Sequence, residues 1–177
     1  TDWHLGAKKN SKGKETFLNY FKYTFFVKNT GELTADYTFS LNIVENNYPK
    51  NVAYGLDDIL RVRFYDNVEE DSHSYTTYAR KTRNDPHYDE GGNESLAEAV
   101  STPSNTDGTF YGYAKEFASD KVIFTKEQTD FQPGDVRRYT VLCWLEGNDP
   151  QAVATAPENC SLKLGVNITA NEKKKAQ

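Results

Sequence analysis

His4, His73 and His87 are the residues of this sequence most ready for metal or acid–base chemistry. None belongs to a His-Glu-x-x-His helix, and no two are spaced to put both imidazoles on one helical face. His73 and His87 sit in the same acidic insertion as Asp85 and Asp89. These are the residue types of a zinc site, and equally the ordinary make-up of a solvated loop. Calcium asks for about six to eight hard oxygens. The runs Asp66–Asp71 and Asp85–Glu90 supply carboxylates, but neither has the Asp-x-Asp-x-Asp-Gly loop with its distal Glu. Both runs are read as solvated acidic faces, and neither a metal nor a cofactor is expected.

Serine-nucleophile elbows, phosphate-binding glycine loops and dinucleotide fingerprints are absent from the sequence. A chain with 26 acidic residues always offers carboxylate pairs of the glycosidase kind, so such pairs carry no specificity. The expectation is a protein without catalysis. Asn93-Glu94-Ser95, Asn159-Cys160-Ser161 and Asn167-Ile168-Thr169 fit the N-glycosylation tripeptide, which matters only in a eukaryotic secretory route. Tyr75-Thr76-Thr77-Tyr78 and Tyr111-Gly112-Tyr113 could stack on sugar rings if they lined one groove.

Elements that could position these groups follow from composition and pattern. The chain has 177 residues, a length suited to one domain with a real core. Aromatic residues reach 14%, with 12 Tyr and 10 Phe, and large rings favour the pleated surface of a sheet. The net charge of −5 comes without a basic stripe, which argues against a nucleic-acid partner. Lys173-Lys174-Lys175 is read as a solvated tail. No apolar run is long enough to cross a membrane as a helix, and no signal peptide stands in the sequence. Because methionine is absent, Thr1 is expected to follow a processed or trimmed end.

The dominant pattern is period two. Phe21, Tyr23, Phe25 and Val27 share one face, and Tyr37, Phe39, Leu41 and Ile43 share another. The turn chemistry of Lys28–Glu32 between them predicts either a hairpin or a short corner. Leu60–Phe64 alternates again, with Arg61 and Arg63 expected towards solvent. Tyr139–Leu145 and Ser161–Thr169 do the same, and shorter strands are expected at Thr109–Tyr113 and Lys121–Phe124. Alternation on this scale predicts an all-β fold, a two-sheet antiparallel sandwich of jelly-roll type. Phe39, Leu41, Val62, Val141, Leu162, Leu164 and Val166 are its expected core. Residues 1–177 are read as one domain, with Thr1–Lys14 a possible detachable segment and 66–108 a long polar insertion. A short helical turn is expected at Asn93–Val100.

The least generic stretch is Val141-Leu142-Cys143-Trp144-Leu145-Glu146-Gly147-Asn148-Asp149-Pro150, followed by Ser161-Leu162-Lys163-Leu164-Gly165-Val166. A strand ending in Trp-Leu-Glu-Gly, an Asx-Pro turn and a final alternating strand resembles the C-terminal part of bacterial exported proteins of the TasA/camelysin type. Phe25–Glu32 with Ala35-Asp36-Tyr37 is similar to that group's first strand pair, and Phe131-Gln132-Pro133-Gly134-Asp135 to its turn before the tryptophan strand. The resemblance implies a jelly-roll sandwich, export from a Gram-positive bacterium through a specialised signal peptidase, and a place in extracellular fibres or the biofilm matrix. It also implies that an N-terminal strand of one subunit can complete the sheet of the next. The 66–108 insertion departs from the pattern, and no zinc motif supports a camelysin-like protease.

Two functional readings follow. The first is a non-catalytic secreted structural or adhesive protein at the cell surface or in the biofilm matrix, self-associating or joining other matrix proteins, without membrane insertion. The alternative is a carbohydrate- or ligand-binding β-sandwich module. Cys143 shares the inward parity of Val141 and Leu145, and Cys160 that of Leu162 and Leu164. If the two strands lie side by side, a disulfide between Cys143 and Cys160 is expected, stabilising by about 3 kcal/mol in the chain-entropy model. The other possibility is a pair of packed, reduced thiols.

Overall fold

The computed structural model describes residues 20–50, 55–68, 74–80, 115–145 and 159–173 with their side chains, and the backbone of 7–9, 15–17, 98–99 and 112–113. These residues form strands and turns with no helix. The strands are β1 (Ala7–Lys9), β2 (Glu15–Phe17), β3 (Tyr20–Lys28), β4 (Ala35–Asn47), β5 (Leu60–Asp66) and β6 (Thr76–Ala79). They continue as β7 (Glu98–Ala99), β8 (Gly112–Tyr113), β9 (Lys115–Glu116), β10 (Val122–Phe131), β11 (Val136–Leu145) and β12 (Ser161–Glu172).

Two sheets dominate, one of five strands in the order β3-β11-β5-β6-β9 and one of three in the order β10-β4-β12. All their pairings are antiparallel except β6 with β9. The fold is an all-β, two-sheet antiparallel sandwich. β1–β2 and β7–β8 are separate two-stranded antiparallel ribbons. Glu98 and Ala99, where a helical turn was expected, are extended and pair with Tyr113 and Gly112. The rest of Asn93–Val100 lies outside the described residues.

Alternation along β4 does what the sequence requires: Tyr37, Phe39, Leu41 and Ile43 are buried, while Thr38, Ser40 and Asn42 point away. Phe39 meets Phe25, Phe64 and Tyr139 of the opposite sheet at ring-centroid distances of 5.4, 5.6 and 5.4 Å, and Phe124 of its own sheet at 5.4 Å. Beside it, the hydroxyls of Tyr37 and Tyr139 lie 2.5 Å apart across the core, each satisfying the other. Burial pushes both phenols above their ordinary range.

Arg61 and Arg63 correct the sequence reading. They occupy the outer face of β5 as alternation demands, yet are only 0% and 4% exposed. Arg61 Nη1 donates to the Leu60 carbonyl at 3.2 Å. Arg63 Nε donates to Thr77 Oγ1 at 3.3 Å, and its guanidinium lies 4.0 Å from the Tyr75 ring centre and 5.3 Å from that of Trp144. Tyr65, Thr140 and Leu142 are buried on the same outer face. The central strands of the large sheet are therefore enclosed on both sides, and the arginine is held by aromatic faces instead of water.

At one end of the sandwich, Arg80 clamps three connections. Its Nε lies 2.7 Å from Asp57 Oδ2, its Nη1 2.9 Å from Asp120 Oδ1, and its Nη2 donates to the Asp120 carbonyl at 2.9 Å. The first contact is an ion pair without hydrogen-bond alignment. Lys126 on β10 reaches Asp66 at the end of β5 at 2.7 Å, tying sheet to sheet.

Phe39→Ala should cost about 3–5 kcal/mol, read as a fall in the urea midpoint, because the void opens among four rings. Val166→Ala on β12 should cost about 0.5 kcal/mol or less, since its side chain is already partly in water.

Candidate functional site

The chain passes between sheets twice at one end of the molecule, and Asn29 joins the two corners. The β3–β4 passage runs through 29–34 and the β10–β11 passage through 132–135. Asn29 N donates to the Asp135 carbonyl at 3.0 Å, and its own carbonyl accepts from Gly134 N at 2.8 Å. Its side-chain Nδ2 donates to the carbonyls of Leu33 at 2.9 Å and Phe131 at 2.8 Å, while Oδ1 accepts from Gly31 N at 3.0 Å. Gly134 has φ +88°, a conformation that requires glycine at this turn. These are two of the segments that carry the family resemblance, and here they form one joint. β3 is thereby set at the edge of the large sheet.

On that flank the sandwich does not close among the described residues. β3 lies at the end of the large sheet beside β11, and β12 pairs with β4 alone, leaving one edge of its backbone without a strand among the described residues. Leu162 and Leu164 pack against the core, but Val166 and Ile168 are 39% and 43% exposed although they share a face with Leu41 and Phe39. The expected burial of Val166 is therefore corrected: at an edge strand, inward parity does not bring a partner. Between β3 and β12 run two apolar clefts in series. The larger, about 620 Å³, is lined by Tyr20, Phe21, Leu60, Trp144 and Leu162 among others, with Lys163 its charged residue. The smaller, about 240 Å³, continues past Tyr23, Leu41, Val141 and Val166. Phe21, Cys143 and Leu164 line both.

Both ends of β12 are fixed by charge. Lys163 Nζ lies 3.3 Å from Glu45 Oε1 next to a bulge between Lys163 and Leu164. At the other end Lys173 Nζ lies 3.2 Å from Asp36 Oδ1 and 2.5 Å from Asp130 Oδ1, and Lys173 N donates to the Thr34 carbonyl at 2.8 Å. Lys173 is thus part of the sheet's end and not of a solvated tail; 174–177 lie outside the described residues. The amide of Asp130, and then Lys173, hold the Asp36 carboxyl below its ordinary 3.8, and the two carboxylates raise Lys173 above 10.5.

The disulfide expected between Cys143 and Cys160 is not formed. Its premise was that their strands lie side by side. Instead β11 pairs with β3 and β5, while β12 pairs with β4 in the other sheet. Cys143 is fully buried, which pushes its thiol well above the ordinary range. Tyr75 and Tyr78 do not form one platform, since Tyr75 covers Arg63 and Tyr78 stacks on Phe124 at 4.7 Å. Tyr111, His4, His73, His87, Asp85 and Asp89 lie outside the described residues. Among the described residues no three His, Cys, Asp or Glu side chains come together as a metal site. Sequence reasoning missed the open flank, although one signal was present: Leu164–Asn171 is alternating, apolar on one face, and free of charge.

The geometry defines an antiparallel sandwich with one open, apolar flank. Compared with protein-family models, curated proteins and solved structures, the chain matches none of them.

Alkylation of the folded protein should modify Cys160 and spare Cys143, with the second adduct appearing by mass spectrometry only in denaturant. Stability should also fall in acid. Asp36 is depressed in the fold, so its contribution is present above its ordinary 3.8 and is lost as pH drops through the lower folded value. Thermal melts from pH 6 to 2 on the parent and on Asp36→Asn should diverge least at the acid end.

Proposed function

We propose that this chain is a non-catalytic extracellular structural or adhesive protein, a subunit of a surface or biofilm-matrix fibre on a jelly-roll-like sandwich. The observation that carries the reading is the open flank: β12 has no strand on its outer edge among the described residues and borders apolar clefts, with Val166 and Ile168 partly in water. An unpaired edge is a template for another chain, and strand addition gives affinity through main-chain hydrogen bonds and specificity through alternate side-chain pockets. The resemblance to exported proteins of the TasA/camelysin type points the same way, since in that group an N-terminal strand of one subunit can complete the next. Ala7–Lys9 is held to Glu15–Phe17 as a two-stranded ribbon, a unit marginal in water on its own.

A ligand-binding module is the second reading, and the volume of the larger cleft, about 620 Å³, supports it, being within the usual range for small molecules.

Deleting Thr1–Lys14 should leave the thermal midpoint almost unchanged and abolish polymer seen by light scattering. Equal assembly with and without the segment would overturn the role given to it.

A further inference from the structure

We propose that β12 is a self-complementary edge, on which a second copy of this chain adds its own β12 antiparallel, joining two three-stranded sheets about a two-fold axis at Asn167. The inference rests on reading the open flank as a self-association surface, but not on the N-terminal segment.

Exposed edges are ordinarily blunted by charge, proline or a bulge. The bulge at this end, between Lys163 and Leu164, has its extra residue, Val44, on β4, so β12 itself has none, and from Leu164 to Asn171 it carries neither charge nor proline. Along this stretch Leu164, Val166, Ile168 and Ala170 face inward and Gly165, Asn167, Thr169 and Asn171 outward, as their partners on β4 require. An antiparallel copy must match parity, since residues directly opposite share a face. Centring the axis on Asn167 satisfies this throughout. Val166 of each copy then stands opposite Ile168 of the other, so the two partly exposed apolar side chains of β12 cover one another. Leu164 meets Ala170, Gly165 meets Thr169, and Asn167 meets its own copy, where amides can bond as in an asparagine ladder.

The outer face of the joined sheet would be mainly Asn, Thr and Ser, with Val44 of β4 its exposed apolar residue beside Gly165.

Disulfide trapping on the full chain tests this, with Cys160→Ser removing the half-buried thiol and Cys143 left in the core. In air, Asn167→Cys should give covalent dimer, because residues directly opposite in an antiparallel pair have Cα atoms about 4.5–5.5 Å apart. Ser40→Cys, one strand further in and paired with Asn167, and Thr169→Cys, out of register with its own copy, should stay monomeric. Independently, Ile168→Lys should raise the dimer dissociation constant by about tenfold or more in sedimentation with the melting temperature unchanged. Asn167→Cys cross-linking no better than the two controls, or Ile168→Lys associating like the parent, would overturn the proposal. Deleting Thr1–Lys14 should leave the Asn167→Cys cross-link intact, so this contact and the N-terminal one fail separately.

Discussion

The interlock around Phe39 is the constraint on which the rest of the sandwich depends. β4 is the middle strand of its sheet, and Phe39 sits at its centre, touching rings from β3, β5 and β11 across the core and from β10 beside it. Edge-to-face and tilted contacts of this kind add about 0.5–1.5 kcal/mol each beyond the apolar area they bury. They also fix register, since slipping β4 by one residue would send Phe39 to solvent and bring Ser40 or Thr38 inside. The Tyr37–Tyr139 hydroxyl pair sharpens the same choice: each buried oxygen is satisfied only when β4 and β11 are in this alignment.

The open flank follows from the size of those rings. Under β4 and β10 the sheets are held apart by Phe39, Phe64, Phe124, Tyr78 and Tyr139. β12 offers only Leu162, Leu164, Val166 and Ile168 at the same separation, and aliphatic side chains fill less of the gap than rings do. Opposite them, Phe21, Tyr23 and Phe25 on β3 are themselves partly exposed. A core spaced for aromatics and bordered by an aliphatic edge strand leaves apolar clefts on that side, and those clefts are the most distinctive surface of the described residues.

Much of the fold was legible in the sequence because period-two alternation is a local property. The inward sets of β3, β4, β11 and β12 read directly from residue type, and the Lys28–Glu32 turn was recognised as a possible corner, which it is. Pairing was not legible, because nothing in Tyr139–Leu145 or Ser161–Thr169 says which sheet a strand joins. The disulfide expectation failed at that step. Arg61 and Arg63 were misread for a related reason: their face was right, but burial of a face depends on what covers it, and the Tyr75 and Trp144 rings that meet Arg63 lie far from it in sequence. Asn29 looked like one turn residue among several. Its role as the joint between two corners appears only when both are folded against each other.

An unprotected edge is useful for recognition only if it is already in the shape its partner needs. β12 meets that condition through its ends. The bulge and the Lys163–Glu45 pair fix one, while the Asp36–Asp130–Lys173 cluster and the Lys173–Thr34 backbone bond fix the other. Between them β4 holds the strand in register along its whole length. An incoming strand therefore meets donors and acceptors whose ordering cost was met during folding, and more of the new hydrogen bonding appears as affinity. The same pinning restricts fraying that would let β12 turn Val166 and Ile168 into its own core. Their exposure is thus built into the folded subunit, and covering them requires another chain or a ligand in the cleft.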